Sequence, residues 1–192
     1  MAGEEYRALV AKVESFVAAV GARRASDLAC KRGCDGCCHA WLSVSAVEAE
    51  AVRAGLAALP AEARQRVRAR GVHELAREHE GPEHDRGPPR CALLEDDGSC
   101  AVYAARPLVC RTQGHALRYP PDFIPAEAVQ LRTKAGDVTW CPLNYREAAP
   151  RAEDVLDAER VDQILALVGQ RRAASAEAAL ERTSLSRLAA EG

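Results

Sequence analysis

Four of the chain's eight cysteines fall within nine residues, Cys30-Lys-Arg-Gly-Cys34-Asp-Gly-Cys37-Cys38, and Cys91, Cys100, Cys110 and Cys141 follow. Clustered thiols either oxidise to one another or share a metal. Thiolates select soft or borderline metals: zinc, iron–sulfur clusters and Cu(I). Eight of them make two four-ligand sites, or one polynuclear cluster with ligands to spare. Adjacent side chains diverge, by about 100° on a helix and to opposite faces on a strand. Cys37 and Cys38 therefore suit two neighbouring metal ions, or two irons, better than one.

Other uses of the thiols fit less well. Cys37 and Cys38 can hardly bridge to each other, and Cys34-x2-Cys37 makes at best a strained redox loop. Cys30-x3-Cys34-x2-Cys37 has the spacing by which radical S-adenosylmethionine enzymes hold a [4Fe–4S] cluster. Those enzymes place it after a strand in a larger barrel, commonly with an aromatic before the last cysteine. Here a helix precedes and Gly36 holds that position. Zinc ribbons show two Cys-x2-Cys knuckles, and this chain has one. The spacing points to shared sites assembled by the whole fold, with ligands from the early and the late cysteines.

The neighbours carry a second layer of chemistry. Arg106 and Arg111 flank Cys110. Their guanidiniums can offset the negative charge of a thiolate centre, or form structural ion pairs with carboxylates. His115 and His39 can replace a thiolate, sit in a substrate pocket, or be ordinary imidazoles. His73, His79 and His84 lie on a charged helix and loop and are expected in solvent. Trp41, Tyr103 and Trp140 are expected as walls around the site.

The positioning elements follow from periodicity. Apolar positions from Leu9 to Val20 predict a helix over 4–20 that stops at Gly21. Ser45-x-x-Glu48 is a capping box opening a helix to about Leu59. Pro60 opens another over 61–79, with Val67 and Leu75 on its apolar side. Gly and Pro between Glu80 and Arg90 predict a loop. Asp96-Asp97-Gly98 predicts a hairpin turn between Cys91–Leu94 and Cys100–Tyr103. A short helix carries Cys110 and ends near Gly114, and Ala116–Tyr119 and Val138–Trp140 form a further extended pair. Beyond Pro150 the reading is helix again, with Val155, Leu156, Val161, Ile164, Leu165 and Val168 on one face, then a last helix over 175–189.

Composition bounds the rest. The 192 residues suit one domain, 48% hydrophobic yet only 4% aromatic. A balance of 26 basic against 28 acidic residues gives no patch to recruit nucleic acid or an anionic membrane. The first residues show no secretory signal, and no run approaches the roughly 18 apolar residues of a membrane span. A cytoplasmic protein is expected, in which reduced cysteines serve as metal ligands rather than disulfides.

Five segments in order resemble a known family: Cys34-Asp-Gly-Cys37-Cys38, Cys91-Ala-Leu-Leu, Asp97-Gly-Ser-Cys100-Ala-Val-Tyr103, Arg106-Pro-Leu-Val-Cys110-Arg111 and Trp140-Cys-Pro-Leu-Asn144. Together, over residues 27–146, they are similar to the YkgJ-type CxxCxxCC proteins, described as a proposed zinc- or iron-chelating domain. The first spacer here is three residues where the family has two, so Cys30 is the departure. The resemblance implies metal chelation and leaves the reaction open.

The fold expected is mainly α, a single domain over 1–192 of helices around a cysteine-rich metal core with short β-hairpin elements. Within it lie an N-terminal helix (1–26), the cysteine-cluster core (27–146) with its helical pair (45–79), and C-terminal helices (150–190). The expected function is metal binding: an iron–sulfur cluster or Fe/Zn ions held by all eight cysteines, with Arg106, Arg111 and His115 near the cofactor, and redox or metal-dependent chemistry. The alternative is a structural zinc module that binds a partner without catalysis. Whether the chain is an enzyme is left open. A protein or small-molecule partner is expected, without nucleic acid or membrane.

Overall fold

Alanine-, glutamate- and arginine-rich windows fold as the helices their composition favours, and the protein is mainly α. The computed structural model describes residues 3–31, 33–80, 89–120 and 133–192. The expected 80–90 loop lies, over 81–88, outside the described residues, as does His84. Among the described residues no helix is long and apolar enough to cross a membrane. The chain forms two compact units. The first contains Met1–Gly3, Arg32–Pro107 and Gly169–Gly192, and the second Glu4–Lys31 and Leu108–Val168.

In the first unit, strand β1 (Ser43–Ser45) leads directly into helix α2 (Ala46–Ala57). The capping box forms on its Glu48 side, the carboxylate accepting from Ser45 N and Oγ at 3.1 and 2.9 Å. Helix α3 (Ala61–Glu80) follows and buries Val67, Gly71, Glu74 and Arg77. Leu75, expected on the apolar side, is only half-buried. Val67 is fully buried, as expected, and the polar Glu74 and Arg77 share its face.

The expected 175–189 helix is broken into α6 (Ala176–Leu180), β6 (Arg182–Ser184) and α7 (Leu185–Glu191). Ser184 and a strand pairing cause the break. Ser175 and Ser184 accept the N–H groups of Ala178 and Arg187, starting a helix each, while Thr183 pairs with Val44 across an antiparallel β1–β6 ribbon. Helix α7 lies on α3 so closely that a Cβ at Gly71 would stand 2.4 Å from Ala190 N. The core joins Val44, Val52, Leu56, Val67, Leu93 and Leu188.

In the second unit, α1 (Glu4–Arg23) buries Tyr6, Leu9, Val13 and Val20. It runs past Gly21, the expected stop. Arg23 and Arg24 fix its end by pairing with buried Asp154, at 3.3 and 2.7 Å. Helix α4 (Leu108–Thr112) carries Cys110 and packs on α1. A four-stranded sheet has the order β3-β4-β2-β5, from Thr133–Ala135, Val138–Trp140, Ala116–Arg118 and Val155–Asp157. The expected pair of β2 and β4 is present and antiparallel, with Leu117 opposite Thr139.

The helix expected from Val155 is corrected. Residues 155–157 form β5, parallel to β2 with Leu117 opposite Leu156. Asp157, accepting from Arg160 N at 2.9 Å, starts α5 (Ala158–Arg172), which buries Ala158, Leu165 and Val168. Ile164 is partly exposed instead.

Candidate metal centre

Three of the early cysteines lie in the first unit with two of the later ones. Gly33 and Gly98 take φ of +88° and +76°, a region that costs glycine nothing. Gly98 approaches the Cys34 knuckle so closely that a Cβ there would lie 2.8 Å from Gly33 O. The turn closes with Cys38 N donating to Asp35 O at 2.7 Å, and Cys91 N donates to Cys38 O at 2.8 Å. The expected hairpin is reduced to a single antiparallel bridge, Leu94 with Cys100. Ala101 N donates to Leu93 O and Glu95 N to Ser99 O. A 3-10 turn at Tyr103–Ala105 replaces the second strand.

The thiols in this unit influence one another. Burial pushes the Cys91 thiol up to about 11, and Cys100 and Cys37 add to the rise. The Cys100 thiol is raised too, again chiefly by burial, with Arg106 opposing. Arg106 stands 3.6 Å over the Tyr103 ring and donates to Tyr103 O. Tyr103 is thus a seat for Arg106, and it remains partly exposed.

Cys30, Cys110 and Cys141 belong to the second unit. Gly114 (φ +91°) ends the turn after α4. A Cβ on it would fall 2.4 Å from Cys30 Sγ and 3.8 Å from Cys141 Cβ. Asn144, 1% exposed, joins the three segments. Its Nδ2 donates to Cys30 Sγ at 3.2 Å and Gly114 O at 2.6 Å, and its Oδ1 accepts from Ala29 N at 2.8 Å. Tyr145 takes φ +54°, its N–H donates to Asp27 O at 2.8 Å, and its ring meets Trp140 edge-on at 6.3 Å. Trp140 is therefore core packing behind Cys141. Arg111 is buried and pairs with Glu14, one of the two roles expected for it.

Two observations bear on whether these residues suit a metal. All eight cysteines are free thiols, none in a disulfide. Nδ1 of buried His115 has no hydrogen-bond partner. Burial lowers the imidazole's pKa, so a neutral ring with a lone pair is favoured, the form in which histidine binds metals. Soft sulfurs with one neutral imidazole fit zinc or iron. The ligand groups are not converged, however: among the described residues no three Cys, His, Asp or Glu side chains meet closely enough to hold an ion.

The comparison with known families bears on the same residues. A model of the CxxCxxCC family, a proposed zinc- or iron-chelating domain, matches residues 29–142. The chain belongs to the CxxCxxCC family. The match begins one residue before Cys30 and ends one after Cys141, so it takes in every cysteine. No curated protein matches the chain, and no solved structure does.

Sequence reasoning missed a buried polar cluster at Glu74. Its carboxylate accepts from Trp41 Nε1 at 3.1 Å, Arg77 Nη1 at 2.9 Å and Arg90 N at 3.3 Å. Trp41 is thereby tied to Glu74 and Arg77. His73 is exposed, as expected, yet its Nδ1 lies 3.1 Å from Glu74 Oε1. His39 is exposed beside Asp35. Only the i,i+3 spacing of Glu74 and Arg77 signalled this cluster in advance.

Proposed function

We propose that this CxxCxxCC chain holds iron, as an iron–sulfur cluster or as ions, in two thiolate centres. Cys34, Cys37, Cys38, Cys91 and Cys100 supply the first. Cys30, Cys110 and Cys141, with His115 as nitrogen ligand, supply the second. The Cys91–Cys38 backbone hydrogen bond carries the reading, because it joins an early and a late cysteine segment. Closing each centre requires side-chain rotation. When bound, the metal supplies a redox-active or Lewis-acidic ion. Among the chain's own residues, Asn144 holds the Cys30 sulfur and Arg106 tempers charge at Cys100.

A structural zinc role is the second reading. It is favoured by the shortness of the elements around the cysteines, since α4 and β2 have five and three residues, and metal binding energy at such sites is folding energy. Metal analysis and absorption of anaerobically purified protein separate the two. Iron with a broad band near ~400 nm supports the first, whereas colourless protein with stoichiometric zinc supports the second. Protein without either metal, and unable to take one up, sinks both.

A further inference from the structure

A cleft of about 580 Å³ opens in the first unit between α3 and the segment at Arg90–Cys91. That volume suits a small molecule. Arg70, Arg77 and Arg90 line it, with the exposed His73 and His39 at its sides and Cys91 beside them. The one carboxylate in the lining, Glu74, faces no ligand unoccupied. Its oxygens are taken by Trp41, Arg77, Arg90 N–H and His73, and these donors hold its pKa below the ordinary value although burial works the other way. Glu74 is thus a pin that fixes Arg77 and the Arg90 backbone.

Two further carboxylates stand outside the lining. Glu95 pairs with Arg70 at 3.1 Å. Asp96 meets Arg90 at 3.2 Å while 90% exposed, where an ion pair is worth little. Arg90 spends Nη2 on Leu94 O, Glu95 O and Asp96. Its Nε and Nη1 make no hydrogen bond among the described residues, and each can donate singly to an oxyanion, since either paired edge of the guanidinium includes Nη2.

We propose that this cleft binds a small oxyanion, the carboxylate or phosphate group of a soluble ligand, through Arg90 with Arg70 and Arg77. The anion site stands on its own residues. Its role as the substrate pocket of the Cys91 centre rests on the metal-binding reading above.

The test is calorimetric titration of the full chain at low ionic strength with inorganic phosphate and, separately, with succinate, with metal content measured on the same samples. One saturable site per chain is expected for at least one anion, and the better binder identifies the ligand's anionic group. R90Q should weaken that anion at least tenfold while R118Q, a surface control, leaves it unchanged. If R90Q fails to fold by circular dichroism, R70Q takes its place with the same expectation. Absence of saturation by both anions, or equal affinity in wild type and the cleft variant, overturns the proposal. Anion binding by protein that never takes up metal supports the cleft and removes only the metal reading.

Discussion

The N–H of Cys91 donates to the carbonyl of Cys38 across 2.8 Å, tying the end of the early cysteine cluster to the first of the later cysteines. Backbone pairing at this point fixes both Cα positions whatever the side chains do. The contact therefore brings the two cysteine segments together before any metal arrives. Pro at position 91 would remove the donor, and C91P should lose metal more completely than C91A at matched helicity. Equal metal loss in the two variants would show that only the sulfur matters.

Metal uptake should depend on pH. The Cys91 thiol is pushed up to about 11 by burial and by Cys100 and Cys37, so it is protonated at neutral pH. A metal must displace that proton. Apparent affinity should then rise as pH rises from 6 to 9, by about tenfold per unit for each proton displaced. Proton release measured in weakly buffered solution counts the thiols engaged, and uptake with no proton release would exclude thiol ligands.

Gly114 is the next place to press. A side chain there must adopt φ +91° and enter the space of Cys30 Sγ. G114A should cost roughly 1–3 kcal/mol from the backbone strain alone and should reduce metal at the Cys30 centre. Unchanged metal content would mean that Cys30 lies outside it.

Gly71 tests the helix packing. Its Cβ would meet Ala190 N and Ala189 C of α7 at 2.4 and 2.6 Å, both backbone atoms that cannot swing aside. Alanine gains up to about 1 kcal/mol in helix propensity, but overpacking costs about 1–3 kcal/mol, more where backbone is the obstacle. G71A should therefore lower the thermal midpoint, and a raised midpoint would show that α3 and α7 are not in contact.

Asp154 should govern acid stability. Burial would raise its pKa, but hydrogen bonds from Arg24, Arg151 N and Arg23 outweigh that and lower it. A carboxyl with a depressed folded pKa contributes stability above its unfolded value, and that stability is lost as pH falls through the folded value. D154N removes the charge that Arg23 and Arg24 meet and should lower the thermal midpoint at neutral pH. The difference from wild type should shrink in acid, and a constant difference across pH would refute the assignment.

Much of this was legible in sequence where one residue decides the local outcome. Ser45 and Glu48, Gly114, and the alternating Val138–Trp140 run read correctly because cap, turn and strand signals are local. The break at 175–189 was missed because alanine-rich composition hides the Ser184 cap and a β-pairing with Val44, which lies far away in the chain. Val155 and Leu156 fit a helical face or a strand equally well, and only β2 alongside decides between them. The cysteines marked the metal-binding family, yet the roles of Asn144 and Glu74 depend on partners far apart in sequence, such as Cys30 and Trp41.

Metal content of C91S, C110S and the double variant, each purified anaerobically beside wild type, bears most directly on the account. The account predicts that C91S and C110S each lose one centre's metal, with the other centre's intact, and that the double variant binds none. Wild-type metal content in both single variants would mean that neither Cys91 nor Cys110 is needed to hold it, contradicting the two centres.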